Sequence, residues 1–420
     1  METQNWVFEH LLEYNQKFNC GEKTLKNILS LKDKTACVIA TGQQPGPFLG
    51  PLYTIYKTVT AIILADNLTK KTSKKFVPIF WIESSDSNIS NISSFFYINS
   101  ENKLKNSTFP LPKEKAGASF AKITLNHHDV NKFILQIKED LDGEKKDEIF
   151  DLITLKLAKY PNLADWFASC LTWLFSSYGL VIIDPQQPEL QKLSQPIFKK
   201  EIENPLKSYH FIQKDGNLPL FPNNTLLFLK ENNLRKKLKF FEPYFQTDSS
   251  KFSRDELRSL LNKNPELFSP NVALRPILQD WLLKTSIYVS GPNETAYLAQ
   301  LKELYKYFDV QIPSIFPRYG ATIIPDFIAG LMSQSNLSVP DFKNRTDKKI
   351  QRHLRQNPAL KQVFNYLFPQ QVLQERRLNI VQFLVKYGFR FIDKLFETFS
   401  PGNQAELQNM EGKHFIVYTE

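Results

Sequence analysis

Four short apolar runs, each closed by Gly, Asp, Ser or Pro, constrain this chain more than any other feature: "ACVIATG" (36–42), "FVPIFWIESSD" (76–86), "GLVIIDP" (179–185) and "SIYVSGP" (286–292). Runs of this length without polar alternation read as strands buried on both faces, as in a parallel sheet covered on each side by helices. Helical periodicity lies between them. "PLYTIYKTVTAIILADNL" follows the first run, and "NETAYLAQLKELYKYF" follows the last, with Tyr297, Leu301 and Leu304 at helical spacing. The alternation predicts an α/β fold with a doubly wound parallel sheet. In such a sheet ligands sit outside the carboxyl ends of the strands, where the strand order reverses.

The first run continues into "ATGQQPGPFLGPLYTIYK" (40–57), with Gly42, Gly46 and Gly50 at every fourth position and Pro45 and Pro47 stiffening the loop. It matches neither the P-loop nor the Gly-x-Gly-x-x-Gly fingerprint. Gly50-Pro51 reads as a helix N-cap followed by proline at the first helical position, so the loop is expected to arch over a helix N-terminus whose amides suit an anion. Tyr53 and Lys57 are four apart on one helix face and lean back toward the loop. The same spacing equally suits a core tyrosine and a solvated lysine.

Two stretches break the alternation and are expected to be insertions: about 94–160, with edge strands "SFFYI" and "AKITL" and a charged helix, and about 205–265, with a hairpin-like "NNTLLFLKENN". The adjacent His127 and His128 point apart in any regular structure, and no other His, Cys or carboxylate spacing reads as a metal site. Cys20, Cys37 and Cys170 are too few and too separated for a disulfide framework and read as packing residues. The net charge of +10 falls in separate clusters, "KKTSKK" (70–75), "LRKKLKF" (234–240) and "DKKIQRHLRQ" (347–356), each resembling a loop or a solvated helix face. A positive field of this kind favours small anionic substrates as readily as nucleic acid, and no nucleic-acid motif accompanies it, so no specific nucleic-acid partner is expected. No apolar run approaches the roughly 20 residues a membrane helix needs, and the N-terminus lacks a signal core, so a cytoplasmic protein without a membrane partner is expected.

The blocks "ATGQQPGPFLGPLYTIYK", "GLVIIDP", "FSPNVALRPILQDWLLKTSIYVSGPNETAYLAQL", "IFPR" and "LFPQQVLQERRLNIVQFLVKYGFRFIDKL" resemble, in order, the bacillithiol biosynthesis cysteine-adding enzyme family. That resemblance implies a Rossmann-like core and a ligase joining cysteine to glucosaminyl-malate, with a long coiled coil pairing two subunits. On this basis Thr41, Gly42, Gln43, Gln44, Gly46 and Tyr53, with Ser290, Gly291, Glu294 and Tyr297 of "SGPNETAY", are the expected substrate-binding residues. Asp86, Lys57 and Arg318 are the expected catalytic ones, since amide formation needs a stabilised oxyanion. Asn271, Arg275, Gln279 and Asp280 share roughly one helix face, suited either to the site or to bracing two units. The cofactor is left open, with ATP a candidate.

Two departures from the family pattern stand out. Where the family reads Ser-Glu-Asp-His-Asp-Phe-Glu-Glu after the second strand, this chain has "SSDSNISN" (84–91), with Ser87 at the histidine position and Asp86 the retained carboxylate. Serine unaided is no base near neutral pH, so a relative that only binds a nucleotide or small anion is the alternative to an active ligase. Between residues 342 and 367 only a short basic linker stands where the family carries its coiled coil. The expected organisation is a core over 1–340 and a reduced C-terminal helical region over 341–420, with a monomer or weak dimer.

Overall fold

All four apolar runs become neighbouring parallel strands. A computed structural model describes residues 2–33, 35–101, 103–208, 210, 223–334, 378–400 and 414–419. Within them β1 (Cys37–Gln43), β2 (Phe76–Ile82), β5 (Val181–Ile183), β11 (Thr285–Ser290) and β12 (Ser314–Pro317) form one five-stranded sheet in the order β12-β11-β1-β2-β5. Every pairing in it is parallel, with Gly42 beside Trp81 and Ala40 beside Tyr288. The chain steps outward from β1 through β2 to β5, then returns to lay β11 on the other side of β1. The crevice between the ends of β1 and β11 is therefore the switch point.

The two faces of the sheet explain the unbroken apolar runs. Ile39, Phe80, Ile82, Ile182 and Val289 pack toward the helices Leu52–Lys71 and Leu163–Phe175, whereas Val38, Ala40, Val77, Ile79, Trp81 and Ile183 meet the helices Glu2–Lys17 and Leu274–Leu283. Neither face is left for water, so the middles of these strands are apolar and polar residues such as Thr41 and Ser290 fall toward their carboxyl ends.

Two stretches between the parallel strands carry sheets of their own. The first carries the antiparallel hairpin β3 (Ser94–Ile98) and β4 (Leu104–Thr108), then the helices His127–Asp140 and Lys146–Lys159. "AKITL" is not a strand as expected: it is a short turn over Phe120–Lys122 and one isolated bridge, Thr124 to Asn162, because Phe120 and Ile123 are drawn into the core rather than paired along an edge. The second stretch carries a five-stranded antiparallel sheet of order β10-β6-β7-β8-β9, comprising β6 (Asn224–Glu231), β7 (Leu234–Phe241), β8 (Tyr244–Gln246), β9 (Lys251–Phe252) and β10 (Phe268–Pro270). "LRKKLKF" is thus strand β7, not a loop or helix face. Leu238 and Phe240 bury one side of it, with Lys236 further along that side, and Arg235, Lys237 and Lys239 occupy the other. "DKKIQRHLRQ" lies outside the described residues.

The expected single helix after β11 is broken into Pro292–Leu298 and Lys302–Phe308 by a tight turn at Ala299–Leu301. Two further strands, β13 (Gly320–Pro325) and β14 (His414–Thr419), pair in parallel, and the helices Val381–Tyr387 and Arg390–Phe399 join the core on the Leu52–Lys71 side of the main sheet. Among the described residues no helix is long and apolar enough to cross a membrane.

Candidate functional site at the ends of the parallel strands

Gly42, one residue before the end of β1, stands where no side chain fits: a Cβ there would lie 2.5 Å from the carbonyl oxygen of Trp81. Its own carbonyl accepts from Lys57 Nζ at 2.5 Å. Lys57 is therefore neither solvated nor apolar filler. Buried at 1% exposure, it also donates to both carboxylate oxygens of Glu294, at 2.9 and 2.8 Å. Glu294 in turn accepts from the Gly291 amide at 2.7 Å and from the Tyr288 hydroxyl at 3.1 Å. Burial lowers the Lys57 pKa against the pull of Glu294. For Glu294 burial works the other way, but Lys57 and the Gly291 amide outweigh it and hold the carboxyl below its ordinary value.

Beside this pair the other expected residues divide. Thr41 is buried and donates to the Val289 carbonyl at 2.9 Å, fastening β1 to β11. Ser290 Oγ lies 2.6 Å from Thr295 Oγ1, and its carbonyl accepts from the Arg318 amide at 2.8 Å. The Arg318 side chain donates to the Tyr319 carbonyl at 3.0 Å. Gln43 donates to the Tyr53 hydroxyl at 3.4 Å, and Gln44 donates to Asp86. Tyr297 accepts from Arg275. The stripe of four resolves into different roles: Asn271 caps the helix Leu274–Leu283 by accepting from the Ala273 and Leu274 amides, Arg275 faces the site, and Gln279 and Asp280 are buried beside Tyr305.

A cleft of about 250 Å³ opens between the ends of β2 and the inserted β6–β10 sheet, lined by Glu83, Asp86, Phe228, Arg235, Asn271 and Arg275 among others. Glu83 is 4% exposed and accepts from Trp81 Nε1 at 3.2 Å and from Ser85, with Arg275 Nε at 3.4 Å. Arg235 reaches in from β7: its guanidinium stacks 3.7 Å over Phe228, donates to Ser269 Oγ at 3.1 Å and to the Pro270 carbonyl at 2.5 Å, and lies 3.7 Å from Asp86. Asp86 also accepts from the Ser87 amide at 2.6 Å. Sequence reasoning missed Glu83 and Arg235. Glu83 ended an apolar run without marking itself, and Arg235 was hidden in a charge cluster.

One strand further on, Asp184 ends β5, buried, accepting from Ser84 and from the Gln186 amide at 2.9 Å; burial pushes its pKa up to about 6. Lys230 donates to Gln186 Oε1 at 2.6 Å, and burial together with the nearby cations Lys122 and Arg235 lowers its pKa to about 8.

The expected anion site at the start of the helix Leu52–Lys71 is differently built. Pro51, not Gly50, is the N-cap, a shift of one residue. The Leu52 amide is taken by the Leu378 carbonyl at 2.8 Å, and the Thr54 amide by Pro51. Gly46 has an ordinary φ, whereas Phe48, Leu49 and Gly50 have φ of 45°, 70° and 68°. For Phe48 and Leu49 that conformation costs roughly 1–2 kcal/mol each. Phe48 is held there by Phe95, Phe133, Phe150 and Trp166, with ring centroids 5.2 to 6.3 Å away.

Comparison with known proteins agrees with this architecture. The family model described as bacillithiol biosynthesis BshC, N-terminal Rossmann-like domain, matches residues 1–319, and the model of the BshC C-terminal coiled-coil domain matches residues 342–407. A relative from Desulforamulus reducens named "Putative cysteine ligase BshC" is 31% identical over 394 residues, covering 89% of this chain and 71% of that one. Relatives of the same name from Bacillus cereus are 31% identical (strain G9842), covering 81% of this chain and 66% of the relative, and 29% identical (strain Q1), covering 97% and 79%. The Rossmann-like match, the parallel sheet and these relatives give one answer: the chain belongs to the bacillithiol biosynthesis BshC family.

Proposed function

We propose that the protein is a cysteine ligase that joins L-cysteine to the amino group of glucosaminyl-malate, completing bacillithiol in the cytoplasm, and that the cleft between β2 and the inserted sheet holds the substrates. The observation carrying this reading is the convergence of Arg235 and Arg275 with Glu83 and Asp86 at the carboxyl ends of the parallel strands. Malate presents two carboxylates, which planar guanidinium groups bind well. Cysteine presents an ammonium group, for which Asp86 is the accessible carboxylate. Lys57 acts through Glu294 and the Gly42 carbonyl rather than as a free base, and Arg318 supplies fixed positive charge behind β11. Gln44 reaches the cleft through Asp86, while Gln43 and Tyr53 line the narrower crevice beside it. The short stretch of sequence between residues 342 and 367 supports a monomer or weak dimer.

The test is to incubate purified protein with cysteine and glucosaminyl-malate, with and without ATP, and to follow bacillithiol by mass spectrometry. Deletion of the gene should abolish bacillithiol in thiol extracts, and restoring it should bring the thiol back. Extracts unchanged by the deletion would refute the reading.

A further inference from the structure

Asn379 lies more than 300 residues from the glycine loop in sequence and is 3% exposed. Its side-chain amide, its side-chain oxygen and its backbone amide are all engaged. Its side-chain amide donates to the Pro47 carbonyl at 2.9 Å and to the Gly50 carbonyl at 3.0 Å; its side-chain oxygen accepts from the Val381 amide at 2.9 Å; its backbone amide donates to Phe96 at 2.8 Å. The preceding residue, Leu378, accepts from the Leu52 amide. The two carbonyls Asn379 holds bracket the three consecutive positive-φ residues of the loop. The same side chain lines a narrow crevice together with Gln43, Gln44 and Tyr53. Gln44 leaves that crevice to donate to Asp86, which holds the Ser87 amide in the cleft.

A strained loop persists only where its surroundings over-determine it. The aromatic box around Phe48 supplies one restraint. Asn379 supplies another, reaching the loop from the C-terminal part of the chain beside Leu378, which holds the Leu52 amide. We propose that Asn379 is a positioning residue of the active site: it latches the 47–50 loop, and through Gln44 it sets where Asp86 stands. The C-terminal helices thereby determine the geometry of a cleft they do not line. The effect on turnover rests on the ligase reading above, whereas the latch itself does not.

Gln382 provides a matched control. It lies one turn further on, is 8% exposed, and accepts from the Ile98 amide at 2.6 Å, a part-buried side-chain to backbone bond that does not touch the loop. In hydrogen exchange resolved to single amides, Asn379→Ala is expected to speed exchange at Gly50, Leu52 and Ser87 by about tenfold or more, as loss of buried hydrogen bonds should. Gln382→Ala is expected to speed Ile98 and leave those three unchanged. At temperatures where both variants are folded, kcat of the cysteine-adding reaction should fall about tenfold or more in Asn379→Ala, with KM for glucosaminyl-malate nearly constant, and stay within about twofold in Gln382→Ala. Unchanged exchange at Gly50 and Leu52 overturns the latch. Faster exchange there, with Ser87 and kcat unmoved, overturns the positioning role. If wild-type protein makes no product, the ligase reading fails and Ser87 exchange alone decides the positioning. If Asn379→Ala does not fold, wild-type exchange decides: the Gly50, Leu52 and Asn379 amides should share one denaturant dependence, and loop amides that open while Asn379 stays protected overturn the proposal.

Discussion

Lys57 Nζ lies 2.8 Å from Glu294 Oε2, joining the helix after β1 to the helix after β11 at the point where the sheet reverses direction. Lys57 is fully buried and the Glu294 side chain is 22% exposed, so either partner alone is a largely uncompensated charge. Lys57→Met is expected to lose about 3–5 kcal/mol in urea denaturation, and Lys57→Met with Glu294→Leu to recover part of that. Because the folded-state pKa of Glu294 is lowered from 4.5, its contribution is present above that pH and is lost as pH falls through the lowered value. A stability curve for Glu294→Gln should therefore be flatter than wild type below that pH.

Asp184 predicts the opposite slope. Its pKa is raised from 3.8 to about 6, so the stability it contributes is full below 3.8 and is lost as pH rises through 6. That is worth about 3 kcal/mol by the linkage relation. Asp184→Asn keeps an oxygen for the Ser84 and Gln186 donors and should remove the slope between pH 4 and 7, measured as urea midpoints across that range.

Arg235 is expected to set affinity for the anionic substrate. Arg235→Gln should weaken glucosaminyl-malate binding at least about tenfold, the loss of one or two charge-assisted hydrogen bonds, with cysteine binding much less affected. Calorimetric titration of each substrate separately checks this. Equal losses for both would mean that Arg235 only braces β7.

Ser87 stands beside Asp86, at the position where the family resemblance implies a histidine. A general base at that position is worth roughly 10² to 10⁴ in rate. Ser87→His with Asn88→Asp should turn over faster than wild type in the bacillithiol assay, and a slower double variant would place proton transfer elsewhere in the cleft.

On assembly, light scattering at micromolar concentration is expected to give the mass of a monomer or a concentration-dependent mixture. A stable elongated dimer would contradict that.

The sheet was legible because strands buried on both faces leave unbroken apolar runs, and β1, β2, β5 and β11 each fall on one of the four. β12 was not, since "SIFP" is too short to register alone. Arg235 escaped notice because its neighbours Lys236, Lys237 and Lys239 make a cluster that looks solvated; only the fold sets it over Phe228 and against Asp86. The glycine loop was legible as a special backbone but not as to its purpose. The donors and acceptors that distinguish a free anion site from an occupied one belong to Leu378 and Asn379, and no local pattern in 40–57 announces them.

The strand order also has a consequence for synthesis on the ribosome. β1 pairs with β2 soon after both emerge, but its other edge waits for β11, about 240 residues later, which at cellular elongation rates is on the order of ten to fifty seconds. Through that interval the middle of the future sheet is an open, apolar edge, the kind of surface that recruits stray strands. The nascent chain therefore has its greatest need of a chaperone in the window between β2 and β11, and slowing translation there should lower the soluble yield more than slowing it anywhere downstream.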